Sequence, residues 1–198
     1  MRRDDTTDGT IPLHEHADDN IRYIRDAIER ANVLTAVPGW GMVAIGVLGM
    51  VVGGVGQSVV NDQAWLFMWV LTAALSFTIG LVTMARKIRA QGIRLFAGAG
   101  ARFWAGLVPT LVAGALITIP LQRAGLTDVL PTVWLLLYGA AVTTAGANSI
   151  RLLPMMGICI MLSGAMSLFT PSRDAAMAAG FGGLHVLFGY IIARKYGG

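Results

Sequence analysis

Gln63–Ala85 reads QAWLFMWVLTAALSFTIGLVTMA, 23 residues without an Asp, Glu, Lys or Arg. A helix needs roughly 20 apolar residues to cross a hydrocarbon core of about 30 Å. This stretch is long enough, and it has company. Charge-free runs also cover Ala31–Asn61, Phe103–Gln122, Val129–Ile150, Leu152–Ser172 and Ala175–Ala193, with lengths of 31, 20, 22, 21 and 19 residues. One such run could be a buried helix of a water-soluble protein; six in succession point to six crossings of a bilayer.

Backbone amides in lipid must be satisfied within the protein, so only helices and closed barrels cross. Barrel strands are about ten residues long and alternate apolar with polar. The runs here are twice that length and are apolar on consecutive positions, as in Val43–Val52 and Leu135–Val142. The composition agrees. Charged residues make up 13% of the 198 and the mean hydropathy is +0.65, against about 25% charged in ordinary soluble chains. The expected fold is all-α: a polytopic transmembrane bundle of six helices preceded by a cytoplasmic or interfacial amphipathic helix. Residues 1–17 form a polar tail, 18–36 the amphipathic helix and 37–198 the bundle. The spans fall at about 37–58, 64–86, 103–121, 129–147, 152–170 and 175–194. No apolar stretch lies near Met1, so the first span is expected to act as an uncleaved signal-anchor. The single Cys159 falls inside the fifth span and forms no intrachain disulfide.

Basic residues near span ends set orientation. With the N-terminus inside, the inner segments hold Arg2, Arg3, Arg22, Arg25, Arg30, Arg86, Lys87, Arg89, Arg94, Arg102, Arg151, Arg194 and Lys195. The outer loops hold Arg123 and Arg173 alone, a split of 13 to 2. Adding or dropping one span would scramble it. Eight of the 11 acids precede residue 30; Asp62, Asp128 and Asp174 each fall in an expected outer loop. Trp40 and Trp104 fall at inner span ends, and Trp65, Trp69 and Trp134 at or near outer ends, consistent with tryptophan's preference for the headgroup level. The orientation this implies has both termini cytoplasmic.

Outside the membrane, Ile21, Ile24, Ile28 and Ala31 recur at spacings of 3, 4 and 3, one face of a helix. Arg22 and Arg25 pair at i,i+4 with Asp26 and Glu29. Pro38-Gly39 then ends the element. It either lies flat under the inner leaflet or docks a cytoplasmic partner; Ile21, Ile24, Ile28, Arg22 and Arg25 are the contact residues in both cases. The loop Arg86–Arg102 carries five basic residues and Gly98-Ala99-Gly100. No strand precedes these glycines, so a dinucleotide fingerprint is unsupported, and the loop reads as positive-inside topology. Nucleic acid is not an expected partner.

The spans themselves contain no Asp, Glu, Lys or Arg. Proton relays and many ion-coupled carriers keep ionisable groups at membrane depth, so those functions are disfavoured, as are intramembrane metallo- and aspartyl proteases. Only His185 could titrate there. Gly182 and Gly189 share its face, with Phe181 and Phe188 beside it. Small residues let a neighbouring helix or a flat ligand approach closely. One reading makes His185 an axial ligand for haem or a chlorin, with a methionine among Met155, Met156, Met161 and Met166 opposite. The plainer reading is a neutral histidine bonded to the next helix, with no cofactor. Met161-Leu162-Ser163-Gly164 followed by His185 partly resembles the Ser/His dyad of rhomboid proteases. Met161 stands where that motif has Gly, however, and the two residues belong to consecutive spans.

Small and hydroxyl residues form stripes: Thr72, Ser76, Gly80 and Thr83; Thr110, Gly114 and Thr118; Cys159, Ser163 and Ser167. Gly49 and Gly53 make a GxxxG, and Ala176–Gly180 and Ala179–Gly183 repeat the spacing in the last span. Such stripes mean close helix packing; the functional alternative is a cavity near His185, with His185, Gly182, Gly189, Ser163 and Ser167 as candidate ligand contacts. Pro109 and Pro154 are expected early in their helices, where a missing N–H costs least.

Two segments, Thr35-Ala36-Val37-Pro38-Gly39-Trp40-Gly41 and Gly182-Gly183-Leu184-His185 through Arg194-Lys195-Tyr196-Gly197-Gly198, resemble those of uncharacterised bacterial multi-pass membrane proteins. The resemblance implies a six-span architecture over most of the chain, and no activity or catalytic residue. The functional expectation is a non-enzymatic membrane subunit, a scaffold or regulator in a complex or homo-oligomer. The alternative is a carrier or sensor of a small apolar molecule, using a cavity near His185.

Overall fold

The computed structural model describes residues 19–25, 27, 37–59, 61–90, 99–147, 149–169 and 172–197, and among these there is no strand. The chain forms an all-α bundle: α1 Gly39–Gly56, α2 Asp62–Ala90, α3 Ala99–Arg123, α4 Leu130–Gly146, α5 Leu152–Ser167 and α6 Arg173–Tyr196. A 3-10 turn, Thr127–Val129, leads into α4. Five of these helices are long and apolar enough to cross a membrane; α5, at 16 residues, is shorter. This is a multi-pass membrane protein. Residues 19–25 are helical and exposed. Ile28, the rest of the 18–36 segment, the 1–17 tail and the loop at 91–98 lie outside the described residues.

The helix ends follow local chemistry. Pro38 immediately precedes α1, and Pro131 sits in the first turn of α4, where its missing N–H is no loss. Ser172 caps α6, its Oγ accepting from the Ala175 N–H at 3.2 Å. Pro109 departs from expectation. Because α3 begins at Ala99, four residues before the apolar run, Pro109 lies inside the helix, as does Pro120.

Glycine sets which helices lie close. Along the α1–α6 contact, Gly39 meets Ala193, Gly46 meets Val186, Gly49 meets Gly182 and Gly53 meets Ala178, each step up one helix being a step down the other. A Cβ on Gly46 would run into the backbone of Val186 and Gly182. The α4–α5 contact is built alike, with Gly139 on Gly157, Gly164 on Leu135 and Gly146 on Leu153 and Pro154. Thus α5 starts beside the end of α4 and finishes beside its start, where Thr132 and Ser167 share a 2.6 Å hydrogen bond.

Within α6, Ala178–Gly183 winds as a π-helical turn, and the Leu184 N–H reaches back five residues to the Ala179 carbonyl. Three of its six residues are glycines, which a wider turn accommodates at little steric cost. Gly180 faces Ser163 and Leu135 while Gly182 faces α1, so this turn touches both glycine-packed pairs.

Each end of the bundle has its own polar cluster. Asp62, Asp128 and Arg173 meet at one end. At the other, the Lys87 ammonium donates to the carbonyls of Val37, Tyr196 and Gly197 at 3.0, 3.3 and 2.6 Å.

Candidate functional site

The α2 and α3 helices are neighbours in sequence, yet their backbones hardly touch. A cavity of about 670 Å³ lies between them, backed by the other four helices. Its side walls are two hydroxyl stripes, Thr72, Ser76 and Gly80 on α2 and Thr110, Gly114 and Thr118 on α3. Their spacing alone predicts packing seams. They differ from the α1–α6 and α4–α5 seams in a measurable way: a Cβ on Gly80 or Gly114 would meet only one side-chain methyl, at 3.6 Å in each case. Nothing presses against them, so they bound space.

Tyr138 and His185 form the back wall. His185 is 2% exposed. Its Nδ1 lies 2.6 Å from the Phe181 carbonyl, which can only accept, so Nδ1 carries the proton. Nε2 is therefore the acceptor, and the Tyr138 hydroxyl donates to it at 2.8 Å. The rings of Tyr138 and His185 stack at 5.5 Å, and Phe181 tilts onto His185 at 4.7 Å. Both imidazole nitrogens are thus satisfied by the protein. The partner is a tyrosine 47 residues away together with a carbonyl of the same helix, a pairing that only the three-dimensional register reveals.

One end of the cavity is closed by tryptophans. Trp134 donates to Thr118 at 2.8 Å and stacks on Trp65 at 5.9 Å, 10° from parallel. Trp65 and Trp69 both donate to Asp174 Oδ1, at 2.7 and 3.3 Å. Asp174 is 5% exposed. Above Trp65 the Arg173 guanidinium lies 4.5 Å from the ring centroid and reaches Asp62 at 2.7 Å and Asp128 at 3.2 Å. Trp65 and Trp69 therefore do not serve as headgroup anchors: they are 0% and 2% exposed, and their N–H groups are consumed by a carboxylate. Two tryptophans at i,i+4 are the available sequence signal; nothing in the sequence marks Asp174 as their acceptor. At the opposite end, Phe103 and Trp104 pack on Met84 and Ile88.

Of the five candidate ligand contacts, His185 lines the cavity. Gly182 and Gly189 are taken up by α1, against Met50 and Val43. Ser163 donates to the Ile160 carbonyl at 2.7 Å and Ser167 to the Gly164 carbonyl at 2.6 Å, and neither lines the cavity. Ser163 is not bonded to His185, so no Ser/His dyad forms. The residues do not fit an axial haem or chlorin site either: Met156 lines the cavity with His185, but both nitrogens of His185 are bonded within the protein. On the N-terminal helix, Ile21 and Ile24 are exposed at 59% and 55%, and Arg22 and Arg25 are exposed beside them. Among the described residues no cluster of His, Cys, Asp or Glu is suited to a metal. The chain matches no known protein family, and no curated protein or solved structure is significantly similar to it.

Proposed function

We propose that this is a non-enzymatic membrane protein that binds a small apolar molecule between α2 and α3, as a carrier or sensor. The observation that carries the reading is the 670 Å³ cavity with uncharged walls, within the roughly 300–1,000 Å³ range of small-molecule sites. The hydroxyls on those walls are largely spent inside the protein: Thr72 on Met68, Thr118 on Gly114 and Tyr138 on His185. Such walls suit burial of hydrocarbon, not acid–base chemistry. Gly114→Phe tests it. The site has room for the ring, so the variant folds, takes up part of the cavity and weakens labelling of cavity residues by a photoreactive hydrocarbon in nanodiscs. Unchanged labelling would overturn the reading.

The same proposal places the chain in a bacterial cytoplasmic membrane with six crossings and both termini inside. The 13-to-2 split of basic residues supports the orientation. The course of α5 supports the count: it runs alongside α4 from one end to the other. Its 16 residues cover about 24 Å, and a deficit of about 6 Å is met by local thinning of the bilayer. A second reading, docking of a partner in a membrane assembly, keeps the support of the exposed Ile21 and Ile24 face. Loss of co-purifying protein on Ile21→Asp/Ile24→Asp would favour it.

A further inference from the structure

The cavity between α2 and α3 is a slot that runs nearly the whole depth of the bundle. Its lining extends from Leu66 to Met84 on α2 and from Phe103 to Ile119 on α3, about 27 and 24 Å of helix. That approaches the hydrocarbon thickness of about 30 Å. Five of the lining residues, Val70, Ala73 and Phe77 on α2 with Ala115 and Ile119 on α3, are also exposed on the outside of the bundle. All five are apolar. The slot therefore opens sideways to lipid, and a ligand reaches it from the bilayer. An extended chain lying along the membrane normal matches this shape.

The two ends of the slot differ in charge. One end, near Leu66 and Ile119, is roofed by the stacked Trp65 and Trp134. Asp62, Asp128 and Asp174 gather there, and Arg173 is already held by the first two. At the other end the lining stops at Met84 on α2 and at Phe103 on α3. Arg86 follows Met84 by two residues and Arg102 immediately precedes Phe103, and both are exposed. Lys87 lies at the same end, its Nζ 3.0 Å from the carbonyl of Val37, itself a lining residue. All three acceptors around Lys87 are neutral carbonyls, so its charge is not cancelled. No Asp or Glu occurs from Gln63 to Thr127. Among the described residues no Lys, Arg, Asp or Glu lines the slot itself, so a charged group of a ligand stays outside it.

We infer that the slot takes a long-chain amphiphile with an anionic headgroup, its chain lying between α2 and α3 and its headgroup outside the basic end, on Arg86 and Arg102 in the field of Lys87. The inference rests on the cavity reading above and adds the class of ligand and its direction. A plain hydrocarbon fills the same space without an anchor, and a cationic amphiphile meets like charge at that end. Each basic residue at a membrane surface strengthens attachment of an anionic lipid by about fivefold.

The test uses the full chain in nanodiscs of zwitterionic lipid. Photoreactive probes of one chain length carry a sulfonate, an alcohol or a quaternary ammonium, beside the plain hydrocarbon, and labelled residues are located by mass spectrometry. The expected result is tightest labelling of slot residues by the sulfonate and weakest by the ammonium. The preference for sulfonate over alcohol falls about fivefold in Arg86→Gln and again when Arg102→Gln is added. Arg123→Gln, which removes the same charge from the other end of α3, leaves it unchanged. A photoreactive group at the far end of the chain marks residues near Ile119, and one beside the sulfonate marks residues near Phe103. Added anionic phospholipid displaces the sulfonate probe where the natural chain belongs to a bilayer lipid and leaves it bound where the ligand is a free single-chain anion; either result supports the anionic class. Equal labelling by sulfonate and alcohol, a preference that survives both arginine replacements, or a reversed depth pattern overturns the inference and leaves the cavity reading standing. Absence of slot labelling by every probe overturns both. Hydrocarbon labelling persists in the arginine variants; its loss would show that the arginines hold the fold and would overturn their role as headgroup contacts.

Discussion

Replacing Trp65 by Phe isolates the contribution of the buried carboxylate at the end of the bundle. Trp65 is 0% exposed and its Nε1–H is the shorter of the two donors to Asp174, 2.7 Å against 3.3 Å from Trp69. A hydrogen bond to a charged group contributes about 1.5–3 kcal/mol, and one stretched beyond about 3.2 Å sits at or below the bottom of that range. Both replacements also remove the same atoms, at a cost of about 1–2 kcal/mol in lost burial and packing. Trp65→Phe is therefore expected to cost about 3–5 kcal/mol, and Trp69→Phe about 1–2 kcal/mol less than that. The first leaves a buried carboxylate with only its longer bond; the second leaves its better bond intact. The assay is reversible unfolding in mixed micelles, followed by helical circular dichroism because the tryptophans themselves are altered. In an Asp174→Asn background the acceptor is neutral, and the gap between the two replacements narrows to below about 1 kcal/mol. Equal destabilisation by the two single replacements, or a gap that persists in the Asp174→Asn background, would refute the account of Asp174 as a charged acceptor that holds Trp65.

Three further outcomes follow from the packing. Gly46→Ala forces a methyl into the backbone of Val186 and Gly182, whereas Gly54→Ala meets nothing within 4 Å; the first should lose several kcal/mol and the second should unfold no more readily than the parent. Tyr138→Phe leaves His185 Nε2 without its donor and should cost roughly 1 kcal/mol, the scale of interhelical hydrogen bonds in membranes; a double-mutant cycle with His185→Phe that shows no coupling would contradict the bond. With Cys159→Ser as background, cysteines at Gly125 and Phe169 should react with an impermeant thiol reagent from outside, and one at Ala147 only after the membrane is opened. Labelling of 147 and 169 from the same side would mean that α5 does not cross.

The helices are legible in the sequence because the charge-free runs are a physical requirement of the bilayer and not a statistical preference. The six runs correspond to α1–α6, and the ends differ for a consistent reason. Helices α2 and α6 begin on Asp62 and Arg173 because those side chains find one another across the bundle, which no local pattern announces. The π-helical turn in α6 is invisible for the same kind of reason. The spacing of the glycines at 180, 182 and 183 predicts ordinary close packing, and Gly180 and Gly182 do pack, against α5 and α1 respectively, but nothing in the spacing marks the wider turn. The pattern around His185 places it inside the bundle, where it lies; its partner has no sequence signal, because Tyr138 is related to it only through the docking of α4 against α6.

The small-residue stripes carry the most instructive ambiguity. In sequence the Thr/Ser/Gly stripes of α2 and α3 and the glycines of α1, α4, α5 and α6 obey one rule, small residues at intervals of about four. In three dimensions they do opposite things. The difference lies in the residue at each closest approach. In α1, α4, α5 and α6 it is glycine against backbone or Cβ, so the axes come together until no space remains. In α2 and α3 it is a hydroxyl bonded to its own helix, as with Thr72 and Thr118, which keeps a polar atom from needing a neighbour and so removes the reason to close the gap. Gly106 brings α3 close to α4 at Ala145, and Gly41 brings α1 close to α2 at Thr83, so α2 and α3 are each pinned to the core on one flank and left apart from one another. A cavity is then the expected consequence of putting self-satisfied hydroxyl faces on two consecutive helices.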